Sequence, residues 1–463
     1  MIARAPTPVP HVPVAWLLPA AYAVAVALVA GIWLAQTTAP SDLASALGTI
    51  GVGIVGNTCC AILGSYLVLR RMSLLGDAIS HSLLPGIAIA YLLTGQVYGL
   101  PIMLGAMALG MLTSLFTQLL HSVGKVAEDA SMGVVFTSLF AAGVIMIDTW
   151  ARGADLDVDC VLYGLIDTVG IDLQNIGGVL VPRALVSLLP ALVLVLIYVT
   201  LLWKELKIVA FDPALAAAMG ISVTVVHYSL MAMVAGVTVA AFESVGSIVV
   251  VAMLVVPAAA GALLSERLLG MMVWAVIIGA ASAALGYLAA ASLNTNVAGM
   301  MAVMAGVQFA GAVFLAPRYG LASRWLRNLS LSLRIAGEDV LARLYRAEEA
   351  KPSTAATAQH AGWVEQLSLW QLRRQGLVAS PAARDLQLTA SGRTAARNIV
   401  RAHRLWETYL DTHFDLPRDH LHEPAERMEH FLTDELQAEL DAALAGRRTD
   451  PHGKEIPEQH VSK

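Results

Sequence analysis

Long apolar runs with short polar breaks fill the first two-thirds of the chain, and a polar, helix-periodic pattern fills the rest. The first apolar run covers residues 14–36; it is too long for a signal-peptide core and has no convincing cleavage site. No charge occurs between Asp42 and Arg70, which leaves room for a second helix. The uncharged run from Ser82 to Leu120 is divided by the turn signal TGQVYGLP, Thr94 to Pro101, into a third and a fourth. A fifth covers Ala130 to Ile147, and further runs lie near 180–203, 222–241, 244–264, 270–291 and 296–316. About 20 residues at ~1.5 Å each cross a bilayer core, so the pattern predicts roughly ten membrane helices.

After Pro317 the pattern changes. A basic stretch, RYGLASRWLRN, leads into helical periodicity in GEDVLARLYRAEEA, then a helix closing in QLRRQGLV and a polar hairpin, ASPAARDLQLTASGR. A helix that ends in this way before a short hairpin is the signature of a winged helix-turn-helix. The expected organisation is a transmembrane domain over 1–320, a linker over 321–335, a winged-helix domain over 336–400 and a helical domain over 401–463. The fold class is therefore an α-helical polytopic membrane protein with a mostly α extramembrane tail.

Charge sharpens this division. Of 63 charged residues, 37 lie in residues 331–463, although 57% of the chain is hydrophobic. If the helices alternate from a cytoplasmic N-terminus, ten Lys and Arg fall inside and only Arg152 and Arg183 outside. That asymmetry predicts a cytoplasmic tail. Cys59, Cys60 and Cys160 offer no disulfide framework.

Few residues in the membrane part carry chemistry. Asp77 and His81 stand four apart in RRMSLLGDAISHSLLPGIAIAYLL and share one helix face. They can ligate a divalent transition metal or bond each other across a polar gap; their apolar setting favours a pathway role. Asn57 can line the same path or hold two helices together. Glu243 opens FESVGSIVV, either beside the path or as an interfacial acid, and His227 reads as a hydrogen-bonded packing residue. Asp155, Asp157 and Asp159 alternate in a polar loop but lack the glycine and glutamate of a calcium loop. Between Lys204 and Ile221, Asp212 is placed as an N-cap, Pro213 as the first helical residue and Gly220 as the stop. No GxxxxGK(S/T) occurs, so the chain supplies no Walker-type phosphate loop and is not expected to be an enzyme.

The segment SLLGDAISHSLLPGIA, Ser73 to Ala88, resembles the signature of inner-membrane permeases of ABC transporters for manganese, zinc and iron. EDASMGVVFTSLF and FESVGSIVVVAMLVVPAAAGALL match the same family. The resemblance implies a plasma-membrane permease working as a homodimer in lipid with ABC ATPase subunits. It also implies an extracytoplasmic metal-binding protein that delivers the substrate, and a coupling helix over Asp212 to Gly220 that engages the ATPase. The tail is similar to metal-dependent repressors of the diphtheria toxin repressor and manganese repressor family. That likeness implies one ligand cluster of His403, Glu407 and His422 and another of Asp339, Glu426, Glu429 and His430. A glutamate at 426, where iron-type members have cysteine, favours the harder ion; Ala342 stands where manganese-type members place another acid.

Trp363 and Glu365 occupy positions expected to contact DNA, and residues 331–463 hold 17 basic against 20 acidic groups. DNA binding is therefore not expected. The resulting expectation is the permease subunit of an ATP-driven importer of a divalent transition metal, manganese first, with zinc and iron as alternatives, and a metal-sensing tail. The alternative is a membrane-anchored metal-responsive sensor or DNA-binding regulator without transport.

Overall fold

The computed structural model describes residues 13–37, 42–95, 100–150, 166–169, 172–176, 179–350, 356–357, 362–382, 385–414, 417, 420–444 and 446–458. They fall into two compact units divided between Ser323 and Arg324.

The first unit is built from α1 (Pro13–Thr37), α2 (Leu43–Leu69), α3 (Ser73–Thr94), α4 (Leu100–Ser122), α5 (Glu128–Trp150) and α6 (Arg183–Leu201). Two short helices, α7 (Trp203–Phe211) and α8 (Pro213–Ala218), precede α9 (Val223–Val245), α10 (Ser247–Leu264), α11 (Leu268–Leu293) and α12 (Val297–Leu315). Among the described residues nine helices are long and apolar enough to cross a membrane, and α10 is a shorter apolar one. Asp155, Asp157 and Asp159 lie outside the described residues. Beyond them an antiparallel hairpin, β1 (Leu173–Ile176) with β2 (Val179–Pro182), takes the place expected for the start of the sixth span.

Helix α2 is the buried axis of this unit. Cys59, Cys60, Leu63, Tyr66 and Leu67 are fully enclosed, so both cysteines serve as small packing residues. Lipid is as apolar as these side chains, so close backbone approach has to supply much of the helix association. At Gly64 the approach is so close that a Cβ would overlap the carbonyl oxygen of Leu254 on α10. Polar side chains add cross-links: Thr113 Oγ1 donates to Ser82 Oγ at 2.6 Å, and Tyr198 and Ser229 pair at 2.8 Å. Tyr22 donates to Gln308 at 2.7 Å and Gln308 to Ser282 at 2.8 Å, tying the otherwise exposed α1 to α12 and α11. Between α9 and α10 the chain turns at Gly246, whose φ of +84° and ψ of 158° suit only glycine.

The second unit begins in α13 (Leu321–Ala350). The stretch expected as a linker, 321–335, is part of this continuous helix, because neither proline nor glycine interrupts it before Gly337. Strand β3 (Ala356–Thr357), α14 (Trp363–Arg374), β4 (Val378–Ala382) and β5 (Asp385–Leu388) make a small antiparallel wing in the order β3-β5-β4. Its core joins Val340, Leu341 and Leu344 of α13 to Leu369, Leu372, Val378, Leu386 and Leu388. Thr389 caps α15 (Ala390–His413) by accepting from Gly392 N at 3.0 Å. The helices α16 (His422–Met428) and α17 (Asp434–Ala443) complete the unit, Leu405 packing with Leu440, Leu444 and Ile456.

Gly64→Leu is expected to destabilise the membrane unit by about 3 kcal/mol, the upper end of ordinary overpacking costs, and to lower the thermal unfolding midpoint in detergent. Gly51→Ala, at a position where a Cβ meets nothing within 4 Å, should leave that midpoint unchanged.

Candidate functional site

Two places in the chain gather metal-ligating side chains. In the membrane unit, α3 carries Asp77 and His81 one turn apart, with His81 Nε2 3.4 Å from Asp77 Oδ1. Ligands about 2.0–2.2 Å from an ion stand about 3.0–3.5 Å from each other, so the spacing fits two donors of one cation. His81 is fixed by two rings of α5: it stacks on Phe136 with centroids 5.9 Å apart and meets Phe140 edge-on at 5.8 Å. Those phenylalanines, four residues apart in VVFTSLF, were not singled out in the sequence; only their contact with His81 reveals their role.

Asn57 is placed differently from the expectation. It is buried against Gly279 of α11, its Nδ2 donates to Gly53 O at 3.1 Å, and no described contact joins it to Asp77 or His81. Glu243 lies on α9, and its side chain is outside the described residues. Asp212 caps α8 by accepting from Leu215 N at 2.9 Å, Pro213 opens that helix, and Gly220 follows it at φ +82°. Phe211, Leu215 and Met219, at four-residue steps along this segment, are each more than half exposed.

In the tail, α15 presents His403 and Glu407 on one buried face, and α16 brings His422 to them. His403 Nε2, Glu407 Oε1 and His422 Nδ1 form a triangle with sides of 3.0, 3.1 and 3.2 Å. A second set comprises Asp339 of α13 with Glu429 and His430, which follow α16. Both triplets have donor atoms of the right type and spacing for a divalent ion. The two sets are joined, because Glu429 Oε2 lies 2.6 Å from His403 Nδ1. A carboxylate on the second ring nitrogen fixes the tautomer that leaves the first as a ligand.

Glu338 does the same for His430, contacting Nδ1 at 2.8 Å while Asp339 faces Nε2 at 3.2 Å. Sequence reading passed over Glu338; its signal was the adjacent acid pair Glu338–Asp339. Glu426, expected in this set, is exposed on α16 and belongs to neither triplet among the described residues. Glu429 is buried while Glu426, one turn earlier, stays in solvent.

Charge is strongly coupled here. Burial opposes ionisation of Glu407, yet hydrogen bonds and charges from His403 and His422 hold its pKa at about 2. Burial would lower the His403 pKa, but the bonds and charges of Glu407 and Glu429 raise it. His430 follows the same logic, with Asp339 and Glu338 pushing it to about 9 against burial. Arg346 adds a cation 3.4 Å from Glu429. Independently of these ligands, α13 is fastened to α15 by Arg393–Glu348 at 2.9 Å and by the Arg404–Glu349 ion pair. Helix α14, at the recognition-helix position of the winged helix-turn-helix, exposes Trp363, Leu367 and Trp370 at helical spacing, with Glu365 paired to Arg343.

With a pKa near 9, His430 carries a proton at neutral pH, so an ion binding at Asp339, Glu429 and His430 must displace it. Apparent Mn2+ affinity there should rise with pH by up to about tenfold per unit between pH 6.5 and 8.5. Calorimetric titration of the full chain in buffers of different ionisation enthalpy measures both this slope and the released proton.

Comparisons with known proteins agree with this division of the chain. Residues 44–316 match the ABC 3 transport family, and residues 389–458 match the iron dependent repressor, metal binding and dimerisation domain. The manganese transport system membrane protein MntD of Bacillus subtilis (strain 168) is 44% identical over 289 residues, 62% of this chain and 98% of that protein. The zinc transport system membrane protein TroD of Treponema pallidum (strain Nichols) is 35% identical over 75% of this chain and 96% of that protein. Among solved structures, PsaBC from Streptococcus pneumoniae in complex with Fab aligns with a TM-score of 0.52 and 30% identity, covering 60% of this chain and 93% of that one.

Proposed function

The chain belongs to the ABC 3 transport family, and from that premise we propose that it is the membrane-spanning subunit of an ATP-driven importer of a divalent transition metal, manganese in the first place. The observation that carries this reading is the Asp77–His81 pair on α3, two metal donors in a largely apolar helix, with His81 set between Phe136 and Phe140. An ionisable pair is costly in such a setting and is retained where a charged cargo passes. Zinc remains the second candidate, since relatives of both kinds are similar to this chain. The oxygen and nitrogen donors of the tail, with no thiolate among them, suit a manganese ion.

Hydrolysis belongs to a separate ABC ATPase, because the chain contains no Walker-type phosphate loop. Its docking point is the α7–α8 segment, where Phe211, Leu215 and Met219 offer an apolar face and the Asp212 cap and Gly220 stop hold α8 in place. The permease works as a homodimer, and an extracytoplasmic metal-binding protein delivers the ion. Asp77→Ala or His81→Ala should reduce ATP-driven Mn2+ uptake into proteoliposomes at least about tenfold while the ATPase still co-purifies. Normal uptake by both variants would remove the pathway role.

The tail lies in the cytoplasm, senses metal there and restrains the transporter when metal is abundant. A divalent ion would be held by His403, Glu407 and His422 and by Asp339, Glu429 and His430, where it supplies positive charge to a cluster of acids. Since α13 is already fastened to α15, the part left to respond is the turn carrying Glu429 and His430. Binding shifts the arrangement by no more than its difference in affinity between the two states. Exposed Trp363 and Trp370 on α14 and the net acidic charge favour this regulatory role over DNA readout. With Mn2+ titrated on the tail side, uptake by the full chain should fall. A chain ending near Ser330, or carrying Glu429→Ala, should stay active; identical responses from all three would leave the tail without a sensing role.

A further inference from the structure

The membrane unit contains a cavity of about 420 Å³ that the transport reading leaves unused. It lies among the turn after α2, the C-terminal half of α4, the α7–α8 segment and the first turns of α9. Its charged and polar lining includes Arg70, Arg71, Ser114, Thr117, His121 and His227. No Asp or Glu is found among the described lining residues, so the cavity is electrostatically wrong for the metal cargo and right for an anion.

Three of these side chains are at least 95% buried and still lack a hydrogen-bond partner among the described residues: Ser114 Oγ, Thr117 Oγ1 and His227 Nδ1. Buried polar groups are rarely left in this condition, and several around one cavity show that it is built for a polar occupant. His227, expected from the sequence to be a satisfied packing histidine, is therefore not satisfied through Nδ1. Arg71 adds an independent sign, since its φ of +59° places a long side chain in the left-handed region usually left to glycine or asparagine. Such strain persists where the surroundings require the geometry, and here the turn brings Arg70 and Arg71 together to the cavity.

A guanidinium fork, an imidazole and two hydroxyls are the donors that recognise phosphate oxygens. Leu69, Leu75, Val209 and Val223 form an apolar wall beside them. We propose that this cavity binds a phosphate-bearing anion, whether a free phosphate or the headgroup of an anionic phospholipid. Because Val209, Ala210 and Pro213 belong to its wall, the occupant braces the α7–α8 segment from behind.

The test uses the delipidated full chain in detergent and follows its thermal unfolding midpoint. One arm compares sodium phosphate with chloride at equal ionic strength; the other compares micelles containing phosphatidylglycerol with micelles containing phosphatidylcholine. The native chain should be stabilised by about 2 °C or more in at least one arm. A shift with phosphatidylglycerol alone identifies the headgroup, and a shift with inorganic phosphate identifies the free anion as sufficient. Arg70→Gln should abolish the shift. Thr117→Val guards against misfolding of that variant, because it removes an unpartnered hydroxyl at nearly constant volume and should leave the ligand-free midpoint unchanged or higher while losing most of the response. The proposal fails if neither arm stabilises the native chain, or if Thr117→Val responds as the native chain does.

Discussion

Inside a bilayer the apolar effect cannot choose which helices pair, because every apolar face is equally at ease in lipid. The membrane unit depends instead on how closely backbones approach. Gly64 of α2 lies against the Leu254 carbonyl, and Gly86 and Gly105 let α3 and α4 approach with comparable closeness. These approaches fix α2 against α10 and α3 against α4. Asp77 and His81 thus project from a rigid element, and the Phe136 and Phe140 rings of α5 complete the setting of His81.

Polar chemistry follows a different rule in each unit. Within the membrane unit, described hydroxyl and amide side chains mostly bond to their own helix or to one neighbour, as in Thr113–Ser82 and Tyr198–Ser229. Among the exceptions, Ser114, Thr117 and His227 share one cavity beside the Arg70–Arg71 turn. In the tail, by contrast, acids and histidines are massed together, and His403 and His430 each have a carboxylate against the ring nitrogen that is not the candidate donor. Glu429 takes part in both sets, so a change at one is felt at the other through a single buried carboxylate. Removing its negative charge would leave Arg346 and His403 facing each other without compensation.

How much was legible in the sequence depended on the range of the interaction. The spans could be located because a bilayer demands uninterrupted apolar runs, and the Asp212 cap and Gly220 stop because capping is complete within four residues. Asp77 and His81 are one helical turn apart and could be paired by periodicity alone. The tail ligands were legible only through resemblance: His403 and Glu429 are separated by a turn and another helix, and no local rule places Glu429 Oε2 beside His403 Nδ1.

The tertiary structure decided what sequence distance had hidden. It substituted Glu338 for Glu426 beside His430, because the direction in which α13 faces the end of α16 is a property of packing. It set Asn57 against Gly279 on α11, made the expected linker part of an unbroken helix and gathered a basic cavity from segments spread between Leu69 and His227. By itself the sequence determined where helices must cross, where short helices begin and stop, and that Asp77 and His81 share a helix face, since each rests on bilayer thickness or near-neighbour geometry. Which of those side chains meet, and which buried polar groups are left without a partner, was decided by the fold, because those outcomes depend on surfaces brought together from distant parts of the chain.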